Sequence, residues 1–264
     1  MNPYPGLAVE HDGTVAIVTL DRPERLNALG PDLCAALVRI AAQLSSNPLV
    51  RAVVLTGRAR GFCAGADLQD PGFAARAGET RGAATRRFLE EHFNPVAQAW
   101  YELDCPLVVA VNGVAAGGGV GLALTGDFIL AASGSSFIQV FTPKLALVPD
   151  MGCSWLLPRR VGIARAKSLA LLGDRVDGAQ AAEWGLADAC IPDAELLPEA
   201  LALARRLAGG PALAQSTVKR LFDDRAALAN ALAIEARLQE QLADHPDHAE
   251  GLAAFMGKRA PRYG

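Results

Sequence analysis

The segment from Asn112 to Gly121 constrains this chain most, because four of its last five residues are glycine. It follows the apolar run Leu107-Val108-Val109-Ala110-Val111, which has the composition of a buried strand. The pattern predicts a strand that leads through a nearly bare backbone into a short helix from Val120 to Leu124. Glycine lets a ligand approach the main chain closely, and N–H groups at the start of a helix favour negative charge. Such a turn suits an anion, or an oxygen that becomes one during a reaction.

The order of these glycines excludes the two common phosphate-binding turns. No Gly-Lys-Ser/Thr closes the loop, so it is not a Walker A element, and the spacing does not give the G-x-G-x-x-G order of a dinucleotide fold. A structural alternative stays open from this segment alone, because glycines also allow a tight crossover from a strand to a helix.

A second strand followed by small residues lies earlier in the chain. The run from Ala52 to Gly57 predicts a buried strand, and the turn from Arg58 to Leu68 is rich in Gly and Ala. Two such turns can bring two backbone N–H groups to one point. That pair is the minimum needed to bind a carbonyl oxygen as it becomes an enolate, and losing one such donor costs roughly a hundred- to a thousandfold in rate.

Strands and helices alternate along most of the chain. Apolar patterns predict strands over 14–20, 52–56, 107–111, 127–132 and 187–191, and helical periodicity predicts helices over 32–44 and 86–103. The segment 158–185 is interpreted as helices broken at Gly173 and Gly178. From Pro192 onward, alanine and leucine with interspersed Arg and Glu predict an all-helical tail, in which Gly209-Gly210-Pro211 ends one helix and opens the next.

Composition and charge exclude several classes of partner. A net charge of −3 gives no reason to expect nucleic acid, and no uninterrupted apolar stretch reaches the ~18 residues of a membrane-spanning helix. The start Met1-Asn2-Pro3-Tyr4-Pro5 lacks the features of a signal peptide, so we expect a cytoplasmic location. His245 and His248 lie in a polar break that we expect to be a solvated loop, and no zinc spacing predicts a metal site. The five spread cysteines are interpreted as reduced thiols.

Three motifs, in the same order along the chain, resemble the enoyl-CoA hydratase/isomerase (crotonase) superfamily. They are Asp21-Arg22-Pro23-Glu24-Arg25-Leu26-Asn27-Ala28-Leu29, Gly61-Phe62-Cys63-Ala64-Gly65-Ala66-Asp67-Leu68 and Asn112-Gly113-Val114-Ala115-Ala116-Gly117-Gly118-Gly119. The segments Phe93-Asn94-Pro95, Ser136 to Phe141 and Leu147 to Gly152 look most like the phenylacetate-pathway isomerases. Those enzymes convert 2-(1,2-epoxy-1,2-dihydrophenyl)acetyl-CoA to its oxepin.

The resemblance implies an α/β fold of the crotonase (ClpP-like) type. Residues 1–191 would form a spiral of β-β-α turns with the acyl-CoA site, and residues 192–264 a helical region for trimerisation and active-site cover. The substrate would be an acyl-CoA thioester, so that coenzyme A is part of the substrate and no separate cofactor is needed. The family further implies a homotrimer or a dimer of trimers.

The resemblance also assigns the chemistry. The oxyanion hole would be the main-chain N–H groups of Ala66 and Gly118. Hydratases of the family hold a water between two glutamates. In this chain the position of the first glutamate is Gly121, and the position of the second falls at 141–143, where no residue is acidic. Asp150 stands where related isomerases keep their acidic residue, so we expect it to be the general acid/base. One carboxylate suffices to move a proton between two carbons.

Other roles stay open for some of these residues. The alternative for Asp150 is an ordinary turn residue after proline, whose carboxylate would form a hydrogen bond with its own backbone. Asp67 is expected to brace the oxyanion turn or to line the CoA site. Asp127 is expected to lie well along the helix that follows Gly121 and to make a structural bond. Cys63, beside the turn, is interpreted as an apolar filler rather than a nucleophile.

The resemblance implies further contacts with the acyl group and with CoA. Lys258, Arg22 and Arg25 are candidates for pairing with a CoA phosphate, and the pocket wall would include residues 79–93. The full set of expected substrate and CoA contacts is Arg25, Leu26, Ala28, Ala64, Asp67, Leu68, Val114, Gly117, Gly121, Phe141 and Lys258.

The chain departs from the isomerase pattern in two places. Thr142-Pro143 makes the stretch before Lys144 one residue longer than usual, and Ala146 replaces a common glycine. A shift of the acid by about 1 Å can cost about two orders of magnitude in rate, so this insertion bears on the substrate. Asn94 stands near the place where the family's dehalogenases keep a histidine, which argues against dehalogenation.

Three functions remain from the sequence. The first is an isomerase of the phenylacetate type that uses Asp150. The second is a hydratase or another crotonase lyase, against which Gly121 argues. The third is an acyl-CoA binder or assembly subunit without catalytic activity. The sequence does not select an aromatic over an aliphatic acyl group.

Overall fold

The computed structural model of the chain describes residues 4–263, and the segment used to argue against a signal peptide lies partly outside them, at residues 1–3. The main sheet consists of β1 (Leu7–Asp12), β2 (Val15–Leu20), β3 (Ala52–Gly57), β5 (Leu107–Val111), β7 (Phe128–Ala132) and β10 (Ala189–Ile191). They lie in the order β1-β2-β3-β5-β7-β10. β1 is antiparallel to β2, and all other neighbours are parallel.

A second, smaller sheet lies beside the first. Its strands are β4 (Gly61–Cys63), β6 (Val114–Ala116), β8 (Ser136–Ile138) and β9 (Arg175–Asp177), in the order β4-β6-β8-β9. β4, β6 and β8 pair in parallel, and β9 is antiparallel to β8. Each of β4, β6 and β8 follows a strand of the main sheet within a few residues, so the chain spirals through both sheets. The expected α/β spiral of crotonase type is confirmed.

Helices follow the strand pairs and form the C-terminal tail. They are α1 (Pro31–Ser46), α2 (Arg81–Phe88), α3 (Asn94–Tyr101), α4 (Gly118–Leu124), α5 (Phe141–Leu145), α6 (Cys153–Leu172), α7 (Gly178–Glu183), α8 (Leu196–Ala208), α9 (Ala212–Phe222), α10 (Arg225–Ala243) and α11 (Pro246–Met256). A π-helical turn, Leu89–Phe93, joins α2 to α3. Between residues 4 and 263, no helix has both the length and the apolar character needed to cross a membrane.

Both faces of the main sheet are buried, which explains the continuous apolar runs of its central strands. On one face, Val53 and Val109 belong to a large core that includes buried residues of α1 and α3. On the other face, Val54 and Val108 pack with residues of α8, among them Ala200. The first helix of the C-terminal tail therefore covers the sheet of its own chain.

The predicted elements are largely confirmed, with differences at their ends. The helix predicted over 86–103 begins earlier, at Arg81, and passes through the π-helical turn. The helix predicted from Pro158 begins earlier, at Cys153, and is interrupted at Gly162, whose φ of 77° and ψ of 157° are not helical. It ends at Leu172, and Gly173 follows in a left-handed conformation. The three-residue strands of the second sheet and β1 were not predicted. The tail consists of α8 to α11, with Gly209-Gly210-Pro211 between α8 and α9 as expected.

The expected place of Asp127 along a helix is wrong. Helix α4 ends at Leu124, and Asp127 directly precedes β7. Its carboxylate accepts a hydrogen bond from the Leu107 N–H at 2.7 Å and pairs with Lys219 Nζ at 2.6 Å. Asp127 thus has the expected structural role, and it connects the start of β7 to β5 and to α9.

Glycine allows the two small-residue turns to approach each other. A Cβ at Gly119 would stand 2.0 Å from the Cys63 carbonyl oxygen, and a Cβ at Gly65 would stand 2.6 Å from the Ala116 carbonyl oxygen. Because β4 and β6 are parallel neighbours, the residues that follow them leave the sheet side by side. The turns therefore face each other at backbone contact distance.

We expect Gly119→Ala to separate these turns. The new methyl group would overlap main-chain atoms that cannot rotate away, so the free energy of unfolding should fall by about 1–3 kcal/mol or more. Urea denaturation measures the change. Gly209→Ala is the matched control, because the nearest contacts of its Cβ would be the carbonyl oxygens of Arg205 and Arg206 at 3.6 Å, and this variant should be as stable as the parent. Equal stability of the two variants would contradict the close approach.

Candidate active site

Two backbone amides lie at the junction of the two turns. Leu29 bridges the first turn: its N–H donates to Gly65 O at 2.7 Å, and its carbonyl accepts from the Asp67 N–H at 2.9 Å. The intervening Ala66 N–H has no acceptor in the described chain. Gly118 is the first residue of α4, so its N–H has no partner within the helix and none elsewhere among residues 4–263. Both amides are thus free to donate to a ligand.

The conformation of Gly117 sets the direction of the second amide. Its φ of 52° and ψ of −125° are accessible to glycine and strained for other residues. The turn is closed by hydrogen bonds from the Gly117 N–H to Ile138 O at 3.0 Å and from the Val120 N–H to Gly117 O at 2.9 Å. A Cβ at Gly65 would lie 3.2 Å from the Gly118 nitrogen, so the two turns meet at this amide.

The Asp150 carboxyl group lies beside Gly118. The residue is 5% exposed, and its Oδ1 is buried without a hydrogen-bond partner in the described chain. This oxygen stands 3.4 Å from the position that a Cβ at Gly118 would occupy. The other oxygen, Oδ2, accepts a hydrogen bond from Gln239 Nε2 at 3.2 Å. A buried, unpaired carboxyl oxygen therefore lies next to a proposed oxyanion site.

The surroundings of Asp150 favour its protonated form. Burial raises the pKa of this carboxyl group well above its ordinary value of 3.8, the nearby Glu235 carboxylate raises it further, and the hydrogen bond from Gln239 acts in the opposite direction. A carboxylate with a raised pKa is a stronger base than a solvated one. This property suits the removal of a proton from carbon near neutral pH.

A cavity of about 340 Å³ opens at this point. Its wall is mainly apolar, and three phenylalanine rings belong to it. The lining residues are Ala66, Leu68, Asp70, Phe73, Ala74, Ala75, Arg81, Thr85, Leu89, Phe93, Phe141, Leu145, Leu147, Asp150, Gln239, His248 and Leu252. The cavity is large enough for a small acyl group, and residues of α2, α10 and α11 close it.

The structure leaves no room for a side chain at the first glutamate position of the hydratases. A Cβ at Gly121 would stand 2.4 Å from Met151 Cβ and 2.7 Å from Met151 O. Met151 is fully buried and has a φ of 55°, next to Gly152 with a φ of 76°. The second position, Phe141 to Pro143, lies in α5. Met151, the neighbour of Asp150, therefore occupies the space that a side chain at position 121 would need.

The expected substrate and CoA residues divide into two groups. Leu68 and Phe141 line the cavity together with Ala66 and Asp150. The others lie around the first turn, along β6 and α4, or near the C-terminus, outside the cavity wall; they are Arg25, Leu26, Ala28, Ala64, Asp67, Val114, Gly117, Gly121 and Lys258. Their contact with CoA stays a prediction.

Arg22 and Arg25 donate hydrogen bonds to side chains close to the turn that follows β4. Arg22 donates to Asp67 Oδ2 at 2.9 Å and to the Ala28 carbonyl at 2.8 Å, so Asp67 braces the turn in one of its two expected ways. Arg25 donates to the side chain of Gln69. Lys258 follows α11 with a φ of 51° and is exposed. A CoA phosphate at Arg22 would have to share it with Asp67.

The prediction that His248 lies in a solvated loop is wrong. Residues from Pro246 form α11, and His248 is 6% exposed on the helix face that borders the cavity. Its Nδ1 lies 2.7 Å from Leu145 O, which it can reach only as a donor. Burial lowers the pKa of His248, so the neutral ring is favoured. The aspartate and proline around it suggested a break, whereas they form the start of a helix.

The sequence analysis also missed Gln239 and Glu235. Both are buried on α10, one turn apart. Their polar side chains within an otherwise apolar helix face were the available signal. Among the cysteines, burial raises the pKa of the Cys63 thiol to about 12, in agreement with a filler role. Within residues 4–263, no cluster of His, Cys, Asp and Glu has the arrangement of a metal site.

The raised pKa of Asp150 predicts a pH-dependent stability. Above pH 3.8 the unfolded chain releases this proton while the folded chain keeps it, so the free energy of unfolding falls as pH rises until the folded carboxyl ionises. Asp150→Asn removes this contribution. Between pH 5 and pH 8, its free energy of unfolding should therefore fall less with rising pH than that of the parent. Urea denaturation across that range tests it, and parallel pH dependences of the two proteins would contradict it.

Comparisons with known proteins identify the family of this chain. A family model described as "Enoyl-CoA hydratase/isomerase" matches residues 10–264. The chain is 40% identical to a probable enoyl-CoA hydratase of Rhodobacter capsulatus over 98% of both chains. It is 39% identical to the 1,2-epoxyphenylacetyl-CoA isomerase of Escherichia coli over 94% of both chains. A crystal structure of an enoyl-CoA hydratase from Mycobacterium avium subsp. paratuberculosis superposes with a TM-score of 0.87 at 33% identity, covering 99% of this chain and 100% of that one. The resemblance is confirmed, and the chain belongs to the enoyl-CoA hydratase/isomerase family.

Proposed function

We propose that this enzyme is an acyl-CoA isomerase that moves a proton, and with it a double bond, within the acyl group of a thioester. The observation that carries the proposal is the buried, unpaired Oδ1 of Asp150, which lies 3.4 Å from the Cβ position of Gly118. Hydrogen bonds from Ala66 and Gly118 would stabilise the negative charge that develops on the thioester oxygen. The family membership supplies the substrate class, an acyl-CoA thioester.

The proposed reaction uses one carboxyl group twice. The Asp150 carboxylate takes a proton from the carbon alpha or gamma to the carbonyl, and the electron pair of the broken C–H bond moves to the thioester oxygen as an enolate. The two amides bind this oxyanion more strongly than the neutral carbonyl. The protonated Asp150 then returns the proton to a different carbon of the acyl group, so the product is an isomer and the enzyme is unchanged.

Hydration is less well supported, although several relatives are named as hydratases. Addition of water across a double bond needs groups that hold the water, take its proton and protonate the carbon. Gly121 carries no side chain, and Met151 fills the space where one would lie. Asp150 alone can perform proton transfer between carbons without a bound water.

A cyclic acyl group is the proposed substrate. The rings of Phe73, Phe93 and Phe141 line the cavity and offer flat apolar surface to a ring. The Escherichia coli relative is named as a 1,2-epoxyphenylacetyl-CoA isomerase. The rearrangement of a ring epoxide to an oxepin breaks the C–C bond that the epoxide shares with the six-membered ring, while Asp150 would move the proton from the alpha carbon to a ring carbon. The composition is conserved, so no separate cofactor is required. We therefore propose ring-epoxidised phenylacetyl-CoA as the substrate.

We also propose that the protein assembles as a homotrimer or a dimer of trimers. Helix α9 exposes the large apolar residues Leu213, Leu221 and Phe222, each more than 70% exposed in the single chain. The end of α6 exposes Leu171 and Leu172. Apolar residues grouped in this way are typical of a protein interface. The cytoplasmic location stays a prediction.

Asp150→Asn tests the proposed function. The amide keeps the size of the side chain but cannot take up the proton, so hydrogen exchange at the carbon alpha to the thioester should be lost in deuterated water while acyl-CoA binding survives. Proton NMR of a panel of phenylacetyl-derived and straight-chain enoyl thioesters measures exchange, and calorimetry measures binding.

Two outcomes would overturn the proposal. Binding without exchange by the parent protein would indicate an acyl-CoA binder without catalytic activity. Rapid conversion of crotonyl-CoA to 3-hydroxybutyryl-CoA would indicate a hydratase in spite of Gly121.

The control for Asp150→Asn is Asp174→Asn, which makes the same chemical change at an exposed residue after α6. Asp127→Asn is not a suitable control, because it breaks an ion pair.

A further inference from the structure

Helix α10 of the C-terminal tail reaches the proposed acid directly. Gln239 is 1% exposed, and its Nε2 donates two hydrogen bonds, to Asp150 Oδ2 at 3.2 Å and to Val148 O at 2.8 Å. One amide group thus holds both the carboxyl group and the backbone two residues before it. The Gln239 amide nitrogen has two hydrogens, so both bonds can form at once.

This double bond distinguishes the two oxygens of Asp150. Oδ2 is engaged by Gln239, which leaves Oδ1 as the oxygen without a partner. Oδ1 is also the oxygen that stands 3.4 Å from the Cβ position of Gly118. Without Gln239, rotation of the carboxyl group would no longer be restricted by a hydrogen bond, and the free oxygen would not be held at the amide pair.

Glu235 lies one turn earlier on the same helix face and holds the other side of the loop. Its Oε2 accepts from the Gly152 N–H and its Oε1 from the Ser154 N–H, both at 2.9 Å. Between Gly152 and the acid lies Met151, whose φ of 55° is unfavourable for a residue that has a Cβ atom. The two bonds from Glu235 fix the loop in this unfavourable conformation and bring a second carboxyl group near Asp150.

We infer that Gln239 and Glu235 are positioning residues for Asp150: helix α10 selects the reacting oxygen of the acid and holds a second carboxyl group beside it. The inference rests on the proposed proton transfer and assigns a catalytic purpose to a tail helix that also covers the cavity. Neither residue touches the reacting atoms in this arrangement. Both act through Asp150.

Among the described residues, the groups around Asp150 come from several helices. From α10 they are Gln239 and Glu235, and from α6 the nearest titratable group is the buried Cys153 thiol, which accepts a hydrogen bond from Gln139 Nε2 at 3.4 Å. His248 of α11 and Arg81 of α2 line the same cavity. Glu235 raises the pKa of Asp150 and Gln239 lowers it. Burial raises the pKa of Glu235 itself to about 7, so its charge changes within the working range of pH. Loss of either residue should therefore move the titration of Asp150, and in opposite directions.

The experiment compares Gln239→Leu and Glu235→Gln in the rate of thioester proton exchange against pH. Exchange needs ionised Asp150, so the rate rises through its pKa. Gln239→Leu should move this rise to higher pH and lower kcat about 10- to 100-fold with little change in KM, because the base is misplaced. Glu235→Gln should move the rise to lower pH, since the negative charge beside Asp150 is removed.

Matched controls lie at exposed positions of the same tail. Gln241→Leu, on α10, and Glu199→Gln, on α8, make the same chemical changes at residues that do not contact Asp150. Both controls should keep the pH profile of the parent. If Glu235→Gln does not fold, as judged by circular dichroism, the direction of the shift in Gln239→Leu alone decides.

Unchanged profiles in folded Gln239→Leu, or a shift to lower pH, would overturn the inference. A rise in KM at constant kcat would likewise contradict it, since that result would indicate a role in substrate binding. The proposed function fails separately: in that case the parent protein would show no exchange, or Asp150→Asn would keep it.

Discussion

The site depends on the contact of three backbone segments at distances that only glycine permits. Gly119 lies against the Cys63 carbonyl, Gly65 against the Ala116 carbonyl, and Gly121 against Met151. The first two contacts bring the turns that carry the Ala66 and Gly118 amides against each other. The third brings Met151, next to Asp150, onto α4 and leaves no space for a side chain at position 121. Backbone packing therefore sets which side chains can surround the proposed oxyanion site.

The central strands supply the rigid frame for these contacts. They are buried on both faces, by the large core on one side and by α8 on the other, so their ends cannot shift independently. The C-terminal tail then has two physical roles within its own chain. Helix α8 covers the main sheet, whereas α10 and α11 close the cavity and contribute Gln239 and His248 to its wall. The cavity is therefore lined by residues from both the spiral and the tail, from Ala66 to Leu252.

Much of this arrangement could be predicted from local patterns. The buried runs at 52–57 and 107–111 indicated the central strands, and the glycines after them indicated bare turns, because both signals depend on neighbouring residues. Asp150 was predicted from its place in a family motif, and its burial is consistent with that role. The short strands of the second sheet were missed because three residues carry too little periodicity. Gln239, Glu235 and His248 were missed because their partners lie about 80 to 100 residues away, and no local pattern records such a contact.

A crystal structure with an unreactive acyl-CoA analogue tests the central claim most directly. The account predicts that the thioester oxygen lies about 2.7–3.1 Å from both the Ala66 and the Gly118 nitrogens, with Asp150 Oδ1 facing the carbon alpha or gamma to the carbonyl. A thioester bound elsewhere in the cavity, or one whose oxygen meets neither amide, would contradict it.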